Sequence, residues 1–313
     1  MTAVNRTAEP SLTTWLNQRE RGALLGMRFV SWLATVFGRW PARQFVRLIA
    51  AFYAAFDPEV RHASRNWLER VRGRPASWFD VYHHISMFSQ VALDRIFLLK
   101  GKTAMFRFNR TGNHYLAKLA SEAQGAILLG AHLGSFEAMR LGAEEESFPI
   151  SIVGHFENAR MVNALLSELN PAMADAVIHV GEDSVGSALK IKDRLEQGHM
   201  VAVLGDRVGL NEKAIDVDFF GEPALFPTGP FLLAAALRSP VYLVFGLYYE
   251  PNRYELFCEP FAERIELPRV DRAEALRRVV QRYANELERY GRKAPDNWFN
   301  FYDFWAKRDD GGS

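Results

Sequence analysis

A chain of 313 residues that is 49% hydrophobic and 24% charged has the balance of a folded globular protein, and intrinsic disorder is excluded. Its 38 Lys and Arg against 37 Asp and Glu leave a formal charge of +1, so no global field favours nucleic acid and an electrostatic partner has to be met by a local patch. Cys258 is the sole cysteine, which rules out a disulfide framework within the chain and fits a reducing compartment.

Residues 1–14 read as a loose polar tail. From Trp15 to about Lys100, apolar residues recur at three- and four-residue spacing (Leu24, Leu25, Met27, Phe29, Val30, Leu33, then Phe45, Leu48, Ile49, Phe52). Pro41, Pro58 and the Gly73–Pro75 stretch punctuate the pattern, which predicts a layer of amphipathic helices over 15–100. No cleaved leader and no clean membrane span is expected: the apolar run starts near Gly22 and Arg28 interrupts it, short of the roughly 20 uncharged residues a crossing needs. Arg19, Arg21, Arg28, Arg39, Arg43 and Arg47 interleave with Trp15, Phe29, Trp32, Phe37, Trp40 and Phe45. That alternation predicts peripheral attachment to an anionic bilayer surface; a solvated cap on the core is the plainer reading.

Residues 101–313 are expected to form one integrated α/β core. Beyond Gly125 short apolar runs alternate with amphipathic segments. Ala126–Gly130, Ile150–Gly154, Ala176–Val180, Met200–Leu204 and Val241–Leu247 read as strands. Ser135–Ala143, Ala159–Leu169, Ser184–Gln197 and Gly229–Leu237 read as helices. Tyr254–Pro260 is expected as an edge strand and Arg272–Tyr290 as a long final helix. Strands alternating with helices predict an α/β fold: a mainly parallel central sheet covered on both faces.

Chemistry concentrates where strands end, the place where open α/β sheets bind ligands. Ile127-Leu-Leu-Gly-Ala-His-Leu-Gly-Ser-Phe-Glu137 puts His132 in a turn after a strand, with Ser135 as N-cap of the following helix. From the first helical turn, Glu137 is expected to swing back onto one ring nitrogen and leave the other to take a proton. With eight histidines in the chain, about one such His-x4-acid pair arises by chance, so position rather than spacing carries the argument. Gly205-Asp206-Arg207 ends another buried strand; Arg207 is suited to fork a phosphate or carboxylate, or else to close a strand-end ion pair. Ala224-Leu-Phe-Pro-Thr228-Gly-Pro230 reads as a rigid turn before an apolar helix, walling an acyl pocket or simply packing. His155-Phe-Glu-Asn158-Ala-Arg160 supplies polar groups at a helix start, with Arg160 either a second phosphate contact or a solvated helix residue. Ser135 lies in no G-x-S-x-G elbow, which disfavours covalent serine hydrolysis.

Together the Ala131-His-Leu-Gly-Ser-Phe-Glu137, Gly205-Asp-Arg207 and Phe226-Pro-Thr-Gly-Pro230 blocks, the last running on to Leu232–Leu237, resemble the bacterial lipid A biosynthesis (late) acyltransferases of the lysophospholipid acyltransferase superfamily. The resemblance spans about residues 20–305. The ending Asp296-Asn-Trp-Phe-Asn-Phe-Tyr-Asp-Phe-Trp305 is similar to a sub-branch associated with aryl polyene and other carrier-protein-dependent lipid clusters. The resemblance implies an O-acyltransferase at the cytoplasmic face of the inner membrane. It implies that His132 and Glu137 are catalytic, that Asp206 is a site residue, that acyl carrier protein or coenzyme A thioesters are donors, and that neither metal nor redox cofactor is required. This sequence departs from the family in lacking a clean N-terminal anchor and in carrying Arg207 where Gln is common. The expected chemistry is general-base transfer by His132, with amides at the Ser135 helix start near the oxyanion and Arg207 anchoring a phosphate. The competing readings are a hydrolase that uses the same dyad on water and a non-catalytic lipid-binding subunit.

Overall fold

The computed structural model describes residues 23–144, 148–154, 177–179, 184–209 and 212–306. Four helices come first: α1 (Ala23–Phe37), α2 (Arg39–Phe56), α3 (Pro58–Arg72) and α4 (Trp78–Leu99). Their boundaries follow from local chemistry. Asp57 caps α3 by accepting from the Glu59 and Val60 amides, Pro58 opens that helix, and Gly73 closes it at φ 64°. Ser77 and Asp80 form a reciprocal capping box at the head of α4.

The core follows as β1 (Arg107–Thr111), α5 (Asn113–Ser121), β2 (Ala126–Gly130), α6 (Phe136–Glu144), β3 (Ile150–Gly154), β4 (Val177–His179), α7 (Ser184–Glu196) and β5 (Met200–Leu204). A hairpin of β6 (Ala214–Phe219) and β7 (Glu222–Pro227) precedes α8 (Gly229–Leu237), β8 (Val241–Tyr249), β9 (Arg253–Ala262) and α9 (Arg272–Lys293). Among the described residues, one sheet has the order β1-β9-β8-β2-β5-β3-β4; every neighbouring pair in it is parallel except β8–β9. This is the expected α/β architecture. Both faces are covered: Ile127 and Leu129 of β2 pack into the cluster holding Val280, Tyr283 and Leu287 of α9 and Trp67 of α3, while Ala126 and Leu128 join Leu116 and Leu119 of α5.

Two expectations are corrected. Tyr254–Pro260 is not an edge strand, because β1 pairs in parallel along its outer side. The sequence of β1, Arg107-Phe-Asn-Arg-Thr111, is mostly exposed and has no apolar run to announce it. Ala224–Pro227 is strand rather than turn: β7 pairs antiparallel with β6, and only Thr228 turns the chain into α8. The predicted helix Ala159–Leu169 and the residues His155, Asn158 and Arg160 lie outside the described residues.

Candidate functional site

Strands β2 and β5 are parallel neighbours with Gly130 level with Leu204. Two residues beyond each strand end, His132 and Asp206 therefore stand side by side, and the Gly205 amide donates to the Gly130 carbonyl at 3.0 Å to hold the two chain ends together. His132 Nδ1 lies 3.0 Å from Asp206 Oδ1 and 3.2 Å from Oδ2, and the His132 backbone amide donates to Oδ2 at 3.0 Å. Asp206 is fully buried, while the His132 side chain retains 28% exposure. An ionised carboxylate only accepts, so Nδ1 carries the proton and Nε2 is the nitrogen left for a substrate.

Burial, and next the nearby Arg207 guanidinium, hold the His132 pKa below its ordinary 6.5 against the opposing pull of Asp206. Burial pushes the Asp206 carboxyl upward, but His132, Arg207 and Asn300 outweigh it and leave its pKa below the ordinary value. Both directions favour a neutral imidazole facing a carboxylate, the resting state of a general base.

The expected contact between His132 and Glu137 is not formed. Buried Glu137 instead accepts from Arg140 Nε at 2.6 Å and from Arg95 Nε at 3.0 Å, tying α6 to α4. The sheet register explains this: it delivers Asp206 directly beside the imidazole, whereas Glu137 lies on a helix that leads away from the turn.

The turn itself is built on a close approach. Gly134 has φ 79°, and a Cβ there would sit 2.1 Å from the Gly246 carbonyl oxygen, so only glycine fits. The Gly134 amide donates to the Asn297 carbonyl at 2.8 Å and the Ser135 amide to the Gly246 carbonyl at 2.7 Å. Those two groups are thus committed and do not supply the oxyanion donors expected of the Ser135 turn. The Ser135 hydroxyl caps α6 by accepting from Ala138 N at 3.1 Å. Any helix-derived donor to an oxyanion has to come from the next amides, Phe136 and Glu137, in the first turn of α6.

Arg207 also departs from the expected phosphate clamp: its Nε donates to Asn300 Oδ1 at 2.5 Å and its Nη2 to the Phe299 carbonyl at 3.0 Å. Thr228 donates its hydroxyl to the Lys213 carbonyl at 3.0 Å, closing the β6–β7 hairpin at the start of α8. What residue types alone did not show is the third wall, the segment Asn297–Asn300. Phe299 N donates to the His132 carbonyl at 2.8 Å, Leu133 bridges to Trp298, and Asn300 Nδ2 donates to Asp206 Oδ2 at 2.8 Å. The only hint was two asparagines within a dense aromatic run.

Fold and site define an α/β protein with a histidine–carboxylate pair at the carboxyl ends of two central parallel strands. The chain belongs to the bacterial lipid A biosynthesis acyltransferase family, whose model matches residues 22–307. No curated protein matches it. Membership in an acyltransferase family supports acyl transfer to a lipid-like acceptor.

Proposed function

We propose that the protein moves a fatty acyl group from a thioester, carried by acyl carrier protein or coenzyme A, to a hydroxyl of a membrane lipid or lipid-like acceptor. The observation that carries this reading is the His132–Asp206 pair at the end of the sheet. His132 Nε2 takes the proton of the acceptor hydroxyl as its oxygen attacks the thioester carbonyl. Asp206 holds the Nδ1–H and stabilises the imidazolium that forms. The C–O bond forms, the C–S bond breaks, and the departing thiolate recovers a proton from the imidazolium. Glu137 contributes by fixing the start of α6 through Arg95 and Arg140, and the reaction calls on neither metal nor redox group.

A lipid acceptor requires the protein to work at a bilayer, and α1 and α2 offer the face for it. Helix α2 turns small residues inward (Ala42, Val46, Ala50, Ala54) and large ones outward, with Leu48 at 69%, Phe52 at 59% and Phe56 at 72% exposure. Phe29, Trp32, Phe37 and Trp40 extend the exposed apolar surface over α1 and the start of α2. Among the described residues no helix is long and apolar enough to cross a membrane. We place the protein peripherally on the cytoplasmic face of the inner membrane.

The deciding experiment incubates purified protein with palmitoyl-CoA or with palmitoyl-acyl carrier protein, with and without vesicles of total bacterial lipid, and follows thiol release and acylated products by mass spectrometry. Thiol release that depends on the lipid, gives an acylated lipid and is lost in His132→Ala supports transfer. Equal release without lipid, giving free fatty acid, would identify a hydrolase; no release with either donor type would leave the lipid-binding subunit.

A further inference from the structure

Besides the longer contact from His132 Nδ1 at 3.2 Å, Asp206 Oδ2 receives the His132 backbone amide at 3.0 Å and Asn300 Nδ2 at 2.8 Å. A side-chain amide has nearly the same shape in its two orientations, and in the wrong one its oxygen would face the carboxylate. Arg207 removes that choice. Its Nε donates to Asn300 Oδ1 and its Nη2 to the neighbouring Phe299 carbonyl, so the amide nitrogen must point at Asp206.

The strap carrying Asn300 is itself anchored in both layers. Asn297 Oδ1 accepts from Tyr248 N at 2.7 Å and its Nδ2 donates to Tyr248 O at 3.0 Å, replacing a ladder partner where β8 runs past the end of β2. On the helical side, His84 Nε2 donates to the Trp298 carbonyl at 2.6 Å, and Arg72 grips Asp296 through both carboxylate oxygens. Trp67 Nε1 donates to Pro295 O at 2.6 Å, and the Trp67 ring stacks on Trp298 at 4.8 Å. Both Asn300 and Asp206 are buried, so this orientation is enforced rather than averaged with water.

We propose that Asn300, oriented by Arg207, is a positioning residue that fixes the Asp206 carboxylate and thereby the Nδ1–H tautomer of His132. The proposal rests on the reading of His132 as the base. Asn300 presents a neutral donor where a second carboxylate would repel Asp206, and it lets Oδ1 remain aimed at the imidazole. Arg207 acts here through Asn300.

The test uses the full chain labelled with 15N-histidine and 15N-asparagine. In wild type, His132 is the Nδ1–H tautomer, and the Asn300 side-chain amide protons titrate together with the His132 ring. In Asn300→Ala the tautomer becomes mixed, and kcat for lipid-dependent thiol release from palmitoyl-CoA falls on the order of 10- to 100-fold with KM nearly unchanged. In Asn300→Asp, nearly isosteric, a second carboxylate moves the His132 titration to higher pH. An Asn300 amide that does not follow the His132 titration in wild type overturns the proposal even if neither variant folds. So do folded variants whose His132 tautomer and titration are unchanged. Failure of acyl transfer with the NMR linkage intact would instead count against the function and leave the positioning standing.

Discussion

Glu137 stands five residues after His132, yet its Oε1 accepts from Arg140 Nε at 2.6 Å and its Oε2 from Arg95 Nε at 3.0 Å. The imidazole looks instead to Asp206, 74 positions along the chain and 3.0 Å away. Short-range spacing and long-range register thus assign the two acids to different work, one bracing helices and one serving the histidine.

That division predicts opposite profiles for two conservative substitutions. Glu137→Gln removes the buried carboxylate shared by Arg140 and Arg95 and should cost about 3–5 kcal/mol of stability, as breaking a buried pair does. Turnover per folded molecule should fall by less than about 10-fold. Asp206→Asn should keep a cooperative unfolding transition while turnover drops roughly 10³–10⁴-fold, because the amide no longer enforces the correct tautomer. Urea titrations paired with lipid-dependent thiol release separate the two. Loss of turnover in Glu137→Gln equal to that in Asp206→Asn would return Glu137 to the chemistry.

A second prediction concerns the acid limb of activity. The base works only when neutral, and burial with Arg207 nearby draws the His132 pKa below 6.5. Activity should therefore persist to lower pH than a free histidine would allow, with the kcat/KM limb falling below 6.5. In Asp206→Asn the one influence raising that pKa disappears, so the limb should move further toward acid beneath a much lower plateau. A limb above 6.5 in the wild-type profile would show that another group controls the rate.

Much of this was legible from residue types, because the parallel sheet is buried on both faces and its strands are written as continuous apolar runs. Ala126–Gly130, Ile150–Gly154 and Met200–Leu204 carry no charged residue, and the expected spans match the observed strands. Strand β1 was hidden because its edge position leaves its side chains in water. The β6–β7 hairpin was hidden because Pro223 and Pro227 sit in β7, outside the large sheet. At the site, His132 and Asp206 could be named from their strand ends, but their pairing depends on β2 and β5 being neighbours, which no local spacing encodes. Asn300 reaches Asp206 only because the chain returns after α9.

The buried His84 gives a stability prediction. Its Nδ1 meets the Ser64 hydroxyl at 2.9 Å and its Nε2 the Trp298 carbonyl at 2.6 Å, and burial draws its pKa from 6.5 to about 4. Above 6.5 the folded and unfolded states both hold it neutral, and it adds no pH dependence. As pH falls from 6.5 toward 4 the unfolded chain takes up a proton that the folded state refuses, so stability declines, by about 3 kcal/mol in all. Urea unfolding of wild type across that window should show this loss. His84→Gln, less stable at neutral pH, should lack this share of the acid slope; an identical slope in both proteins would assign it to other groups.

The bilayer face predicts which force attaches the protein. Three of the arginines expected to meet anionic lipid are engaged within the fold: Arg39 is bidentate to buried Asp94, and Arg43 and Arg47 both reach Glu250, with Arg43 also on Gln90. Arg28 is exposed, and Arg19 and Arg21 lie outside the described residues. Large apolar side chains of α1 and α2, from Phe29 to Phe56, stand exposed there. Attachment should then depend on apolar burial rather than on charge. Raising salt from 0.1 to 0.5 M (an ionic strength at which surface charge attraction is strongly screened, roughly a 4 Å Debye length) should weaken vesicle binding by less than about 2-fold. Replacing Trp40, Phe52 and Phe56 together by Ser should weaken it at least about 10-fold, since their exposure in the free protein means little packing is lost. Co-sedimentation with phosphatidylethanolamine vesicles, with and without anionic lipid, measures both. Binding that collapses in salt while tolerating the triple substitution would return the attachment to the basic residues.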